Sequence, residues 1–307
     1  MIETPDTHPF PGLAAPVIAG ARTAVVIRNP MSRRGEEDLG AAYDLLRAGG
    51  VSVKEAPADA EERRAAMARA DLIIVAGGDG TLHHAAPALI TASKPFGILP
   101  LGTANDLARS LDIPADPVMA AQIILDGHMR IIDLGEVNDT PFFNVASIGI
   151  SVELARELTR ETKRRFGAFS YVVAGARALM RARRFRATIR SAHGDVRVRT
   201  FQIAVGNGRY YGGGMSVHEN CRIGDGKLYL YSLEMRTLWR LALMAFHFRA
   251  GAHGAWEDVR ADSGEHFVIH TRRPRPINAD GEIVARTPAT FAIRRDALKV
   301  FAPPCKD

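Results

Sequence analysis

Cysteine is almost missing from this chain of 307 residues: Cys221 and Cys305 stand alone. Without a C-x-x-C spacing there is no zinc ribbon and no disulfide framework, and a reducing, cytoplasmic setting fits. Lysine is scarce too, with six residues, so 34 of the 40 basic side chains are arginine. Arginine suits planar, bidentate contact with phosphate, although GC-rich coding produces the same bias. No uninterrupted apolar run approaches the ~20 residues of a membrane span. The best candidate, 238–248, is broken by Arg240 and His247. The first twenty residues contain Pro5, Pro9, Pro11 and Pro16 and no lysine or arginine. That is unlike a signal peptide and reads as a flexible lead-in over 1–20. No repeat, low-complexity tract or Gly/Ser linker is visible. What is present is ordinary globular composition, 47% hydrophobic and 24% charged, which excludes disorder. The length suits two domains of ~100–200 residues, each able to bury a core without staples.

The first half alternates strand and helix patterns. Strands are expected at Thr23–Arg28, Val51–Glu55, Leu72–Ala76 and Phe96–Pro100. Helices are expected at Glu36–Arg47, Ala60–Ala70, Thr81–Thr91, Asn105–Leu111 and Pro117–Asp126. Such alternation predicts an α/β domain, a parallel sheet covered by helices, over 21–137. After about Ile132 the pattern changes. Val137–Ile148, Phe185–Arg190, Val196–Val205, Leu228–Leu233, Phe267–Thr271, Phe291–Arg295 and Leu298–Phe301 read as strands, most without a helix between them. That predicts a mainly antiparallel β-sandwich over 138–307. Helical insertions are expected near Val152–Arg184 and Arg236–Phe248. The net charge of +6 divides unevenly: residues 1–137 hold 12 basic and 18 acidic side chains, residues 138–307 hold 28 and 16.

The strongest local signal is Gly77-Gly78-Asp79-Gly80-Thr81, after an apolar strand and before a helix. A strand–glycine turn–helix points backbone N–H groups and a positive helix end at one place, which makes an anion site. Glycine lets the backbone approach a phosphate closely, and Asp79 can hold a water or a magnesium ion there. A tight turn with a good N-cap explains the same residues. The pattern is neither a Walker A sequence nor G-x-G-x-x-G. Leu101-Gly102-Thr103-Ala104-Asn105-Asp106-Leu107 repeats the arrangement after the next strand. Turns from adjacent parallel strands open on the edge where α/β sheets bind ligands. Thr103 can bond a phosphate, and Asn105 with Asp106 can cap the helix or orient a ligand. Asn29-Pro30-Met31-Ser32 offers a third loop on that edge.

GGDGTL followed by LGTANDLAR resembles the soluble bacterial lipid kinases with a diacylglycerol-kinase catalytic domain, the YegS/DgkB-like group related to sphingosine kinases. The resemblance continues through Phe143–Gly149 (FNVASIG), Asn207–Met215 (NGRYYGGGM), Asp225–Leu228 (DGKL) and Asp280–Glu282 (DGE). It implies an ATP-dependent kinase acting on a lipid hydroxyl. Nucleotide contacts would come from Asn29, Pro30, Ser32, Gly77, Gly78, Asp79, Gly80, Thr81, Leu82, Gly102, Thr103, Asn105 and Asp106. The lipid head would approach from the second domain, in the cleft between the two. Glu282 would be the general base, with Asp280 beside it near Mg2+. A structural Mg2+ would be held by the Asp225 carboxylate and the carbonyls of Arg222 and Lys227. A hydroxyl nucleophile needs such a proton acceptor, and on an extended segment Glu282 shares a face with Asp280. A hairpin turn between Ile277–Ala279 and Ile283–Ala285 is the plainer account of Asp-Gly-Glu.

Three positions depart from the resemblance. His83 stands where asparagine is common, Ala56 near the place of a threonine, and Tyr229 where an acid often follows the DGxL turn. The stretch from Arg160 to Arg190 carries ten basic residues against Glu161 alone. It reads as a membrane-surface element or as a solvated helix face. No recognition motif for nucleic acid accompanies it. The partners expected are therefore a lipid substrate at an anionic membrane surface and no nucleic acid, with a homodimer compatible. The expected location is cytoplasmic and peripherally membrane-associated. Competing functions are an NAD kinase-like enzyme and a catalytically silent lipid-binding regulator. Retention of Asp79, Asp225, Asp280 and Glu282 argues against silence.

Overall fold

The computed structural model describes residues 22–28, 36–150, 152, 183–207, 210–211, 215–216, 223–234 and 259–304. In chain order the elements are β1 (Arg22–Arg28), α1 (Glu36–Ala48), β2 (Val51–Glu55), α2 (Ala60–Arg69), β3 (Leu72–Gly77), α3 (Asp79–Ala92), β4 (Phe96–Pro100), α4 (Asp106–Ser110), α5 (Pro117–Asp126), β5 (Met129–Val137), β6 (Thr140–Phe142) and β7 (Val145–Gly149). There follow β8 (Phe185–Ser191), β9 (Gly194–Thr200), β10 (Gln202–Gly206), β11 (Tyr210–Tyr211), β12 (Met215–Ser216), β13 (Leu228–Leu233), β14 (Val259–Gly264), β15 (His266–Thr271), β16 (Pro276–Ala279), β17 (Glu282–Arg286) and β18 (Ala289–Phe301). The expected insertions near 152–184 and 236–248 lie outside the described residues, apart from helical, buried Val152 and the 183–184 lead into β8.

The chain forms two compact units. One comprises residues 1–132 with 296–307, the other 133–295. The division falls five residues before 137/138, and the last twelve residues return to the first unit because Val300 of β18 pairs in parallel with Phe96 of β4.

In the first unit β2, β1, β3 and β4 lie side by side, all parallel. β3 and β4 are buried at every position, as expected of strands covered on both faces. α1 packs against α5 and α2 against α3. Local chemistry sets the ends of these helices. Asp59 accepts from the N–H groups of Glu61 and Glu62 at 2.9 Å to cap α2. Asp116 caps α5 with Pro117 in its first turn, and Gly127 closes it in the left-handed region.

The second unit is a sandwich. One sheet includes β18, β15, β8 and β9, antiparallel. The other runs β14-β13-β10-β7-β16-β17. Side chains from both, among them Ile189, Val198, Phe267 and Phe291 from the first and Ile148, Ile203, Leu230 and Ile277 from the second, form one core. Three expectations are corrected. The run 196–205 is two strands, β9 and β10, which lie in different sheets. The run 137–148 is not one strand, because Asn138 and Asp139 both have positive φ (45° and 65°) and fold Val137 back onto Thr140, the geometry of a two-residue hairpin turn. Conversely, 291–295 and 298–301 are one strand, β18, carried through Asp296 at φ 50°.

Candidate functional site

In the first unit two glycine turns interlock at the carboxyl ends of β3 and β4. Gly78, extended, is the N-cap of α3, and its carbonyl accepts from Thr81 at 2.9 Å and Leu82 at 3.1 Å. Leu101 donates its N–H to the Gly77 carbonyl at 3.0 Å, tying the second turn to the first. A methyl group on Gly78 would lie 2.8 Å from Gly102 Cα, and one on Gly102 would lie 2.6 Å from Gly78 Cα. Such backbone-to-backbone contact tolerates glycine alone.

Asn105 braces the pair. Its Oδ1 accepts from the Gly102 N–H and its Nδ2 donates to the Gly102 carbonyl, both at 3.0 Å. The expectation that its side chain caps the following helix is corrected: at φ 49° it turns back on the loop and makes no cap bond. The α4 cap comes from the other turn, where Asp79 Oδ1 accepts from the Leu107 N–H at 3.3 Å. The start of α3 thus presents backbone N–H groups and a positive dipole end on a rigid double-glycine floor, a setting for phosphate. Of the expected nucleotide contacts, Leu82 and Asp106 are buried, Gly77, Thr81 and Gly102 line the same turns, and Gly80 and Thr103 are exposed. Asn29, Pro30 and Ser32 lie outside the described residues. Ala56 follows β2, its N–H donating to the Val26 carbonyl at 2.8 Å. His83 and His84 meet edge to face, their ring centroids 5.7 Å apart.

In the second unit, four segments far apart in sequence are joined by one hydrogen-bond network. Asp280 is its hub: Oδ2 accepts from the Phe143 N–H at 2.6 Å, and Oδ1 from Asn144 at 3.0 Å and Val145 at 3.2 Å. Asn207, 1% exposed, donates through Nδ2 to the carbonyls of Asp133 at 2.9 Å and Phe143 at 3.0 Å. Its own N–H reaches the Asn144 carbonyl at 2.9 Å. Buried Asp133 accepts from the Gly226 N–H at 2.8 Å. The FNVAS, Asn-Gly, DGKL and DGE segments therefore share a single scaffold. Asp133 and Asn207 were not singled out as site residues. A lone carboxylate within the apolar strand Ile131-Ile132-Asp133-Leu134 is the signal that marks the first, since buried charges demand partners.

Asp280 and Glu282 do not lie on an extended segment. Asp280 (φ 48°) and Gly281 (φ 101°) form a two-residue turn that pairs Ala279 with Glu282. The hairpin account is correct, and the inference that both carboxylates share one strand face fails because the turn intervenes. Glu282, first residue of β17, is exposed. Its turn is pinned from both sides, by the Asp280 bonds and by the Gly281 N–H donating to Asn278 Oδ1 at 3.1 Å.

Asp225 is exposed. One of its oxygens accepts from the Lys227 N–H at 3.0 Å and the other from the Tyr229 hydroxyl at 2.6 Å. A carboxylate has about four acceptor positions, so these two bonds orient Asp225 without exhausting it. Carboxylate and carbonyl oxygens are the donors a hard divalent cation takes, and Asp225 and Lys227 fit that chemistry. Arg222 lies outside the described residues. No group of three His, Cys, Asp or Glu side chains placed to hold a metal occurs among the described residues.

Comparison with known proteins follows this geometry. The family model for the diacylglycerol kinase catalytic domain matches residues 23–137. That for the YegS C-terminal NAD kinase beta sandwich-like domain matches residues 144–302. The chain belongs to the YegS-type family of diacylglycerol and lipid kinases. Among its similar relatives, a diacylglycerol kinase of Staphylococcus carnosus is 27% identical over 264 residues, 85% of this chain and 84% of that protein. One of Staphylococcus aureus is 28% identical over 247 residues, 79% and 78%. A solved diacylglycerol kinase from Bacillus anthracis matches with a TM-score of 0.76 at 21% identity, covering 94% of this chain and 99% of that one. Yeast NADH kinase complexed with NADH matches at 0.51 and 12% identity, covering 93% and 84%. The last two likenesses concern fold alone. In this member of the lipid kinase family, the interlocked turns belong to the first family domain and the Asp280 network to the second.

Proposed function

We propose that the protein is an ATP- and Mg2+-dependent lipid kinase that transfers the γ-phosphoryl group to a lipid hydroxyl, that of diacylglycerol or a similar acceptor. The observation that carries this reading is the locked contact between Gly78 and Gly102 at the start of α3, a backbone cradle suited to a polyphosphate. Family membership supports the acceptor class. The nucleotide would contact the turns 77–82 and 102–106 together with Asn29, Pro30 and Ser32.

Phosphoryl transfer passes through a loose transition state, so positioning and charge neutralisation do most of the catalysis. A Mg2+ beside the nucleotide phosphates, for which Asp79 offers a carboxylate, would supply neutralisation, and Asp225 with the Lys227 and Arg222 carbonyls would hold a separate, structural Mg2+. Glu282 takes the acceptor's hydroxyl proton as the oxygen attacks. Asp280 is a positioning residue: it fixes the turn that presents Glu282. Lipid acceptors reside in membranes, which supports work at an anionic membrane surface. No helix among the described residues is long and apolar enough to cross a bilayer.

The test is transfer of labelled phosphate from ATP to diacylglycerol, phosphatidylglycerol, sphingosine and NAD, each offered separately. A lipid acceptor is expected to be labelled. Labelling of NAD alone, or of nothing while ATP still binds, would overturn the reading in favour of an NAD kinase-like enzyme or a silent regulator. Glu282→Gln is expected to keep ATP binding and to lose at least ~100-fold in turnover, the range for losing a general base.

A further inference from the structure

The second unit carries a strongly basic surface that the proposed reaction does not use. On the outer side of β9, β8 and β15, alternate residues face away from the core: Ala187, Ile189, Val198, Phe267 and Ile269 are buried, while Arg186, Arg197, Arg199 and His270 between them are exposed. With Thr188 and Arg272 these exposed residues line a shallow groove of about 660 Å³, a size typical of small-ligand sites.

Register makes this arrangement costly. Arg186 lies directly opposite Arg199, and Arg197 opposite Thr188, which in turn faces His270. Like charges across a strand pair destabilise a sheet. Neighbouring arginines are otherwise engaged. Arg190 is paired with Asp195 at 2.9 Å, and the Arg184 guanidinium donates to the carbonyls of Arg199 and Glu234. Among the described residues, Arg186, Arg197, Arg199 and Arg272 have no acidic partner. Four guanidinium groups around one groove, none in an ion pair among the described residues, offer planar forks matched to phosphate oxygens. Asp280, Asn207 and Asp225 belong to the other sheet, and no residue lining the groove has a role in the proposed reaction.

We propose that this groove is a second anion site, which binds a phosphate-bearing ligand. The shared chemistry is a phosphomonoester or diphosphate group, carried either by a lipid head or by a soluble molecule.

The full chain, saturated with ATP, would be titrated with inorganic pyrophosphate by calorimetry. In parallel it would be floated with phosphatidylcholine vesicles, with and without phosphatidic acid. The variants are Arg186→Gln/Arg197→Gln, which removes two forks, and Arg186→Lys/Arg197→Lys, which keeps charge but loses bidentate geometry. Wild type is expected to bind at least one probe about tenfold or more tightly than the glutamine variant, the effect of losing charge-assisted hydrogen bonds. The lysine variant should fall between them. Loss with pyrophosphate alone identifies a soluble ligand, and loss with phosphatidic acid vesicles alone a lipid head. Loss with both identifies phosphate itself. Equal binding by wild type and glutamine variant to both probes, at unchanged melting temperature, would overturn the proposal. Turnover on detergent-dispersed diacylglycerol should stay within about twofold in both variants, because neither Arg186 nor Arg197 has a role in the proposed reaction. A collapse of turnover would place the groove inside the reaction and overturn its separateness. These binding readouts do not depend on whether the protein is a lipid kinase.

Discussion

Replacing Asp280 with asparagine separates a structural carboxylate from a reacting one. In the native turn, two carboxylate oxygens accept from three backbone N–H groups at 2.6, 3.0 and 3.2 Å. The amide keeps one oxygen and turns the other position into a donor. Whichever way it is oriented, at least one N–H of Phe143, Asn144 or Val145 then faces an NH2 group and loses its acceptor. The bonds that remain lose their charge assistance. A hydrogen bond to a charged group contributes about 1.5–3 kcal/mol and a neutral one about 1 kcal/mol, so one bond lost and one or two weakened amount to about 3 kcal/mol. For a unit of this size that corresponds to roughly 6–12 °C in melting temperature. The assay is a thermal melt followed by far-UV circular dichroism, with turnover measured at a temperature where both proteins are folded. The expected result is a large fall in melting temperature with turnover reduced in proportion to the misplacement of Glu282. A melting temperature within about 2 °C of wild type, together with abolished turnover, would refute the reasoning. Asp280 would then act on the reactants and not on the 143–145 segment.

Gly78→Ala places a methyl group 2.8 Å from Gly102 Cα, backbone against backbone; ATP affinity measured by calorimetry should fall at least tenfold, or about 1.4 kcal/mol, and unchanged affinity would remove the glycine contact from nucleotide binding. Tyr229→Phe deletes the 2.6 Å bond that orients Asp225, so the Mg2+ concentration giving half-maximal turnover should rise by about tenfold or more, with an unchanged melting temperature. Asp71 is held below its ordinary pKa by the Thr23 N–H, at 2.7 Å, and then by the Thr23 hydroxyl, at 3.1 Å. A depressed carboxylate stabilises the fold above its unfolded pKa and loses that contribution as pH falls through the folded value. Melts of wild type and Asp71→Asn should therefore differ at neutral pH and converge as pH drops below 3.8; a difference that persists in acid would show that the bond works without ionisation.

The parallel half was almost wholly legible because its signals are local. A run such as Leu72–Gly77, buried at every position, followed by glycine and a helix reads the same in sequence as in space. The capping residues Asp59 and Asp116 stand where short-range chemistry places them. The sandwich was legible as a class but not in its joints. Asn138-Asp139 and Asp280-Gly281 are both two-residue turns at positive φ, and the polar Asn-Asp pair within 137–148 is itself a turn signal that a single-strand reading passes over. β14 escaped notice because Val259–Gly264 is rich in polar residues and pairs with β13 across an intervening stretch of chain. Position 296 interrupts β18 in pattern only: an aspartate at φ 50° carries the strand onward.

The site was legible as motifs and illegible as a network, and the difference lies in what sets a hydrogen bond. Asp79 reads in sequence as a holder of water or magnesium, and Asn105 as a helix cap or a ligand-orienting group. In the folded protein the cap bond comes from Asp79, which accepts from the N–H of Leu107, 28 positions further on, while Asn105 closes on Gly102, three positions away. Asp280 reaches back about 136 positions to staple the FNVAS segment. Spacing along the chain carries no information on such pairings, because they depend on which strands become neighbours. The strand order β10-β7-β16 sets Asn207, Phe143 and Asp280 at one end of one sheet. The same reasoning changes the meaning of the arginine excess. Counted along the chain it marks only the second half. Placed by the register of β8, β9 and β15, four arginines fall around one groove with no acid among them. Sequence scatter thereby becomes one surface, and it is this surface that the second anion site is proposed to occupy.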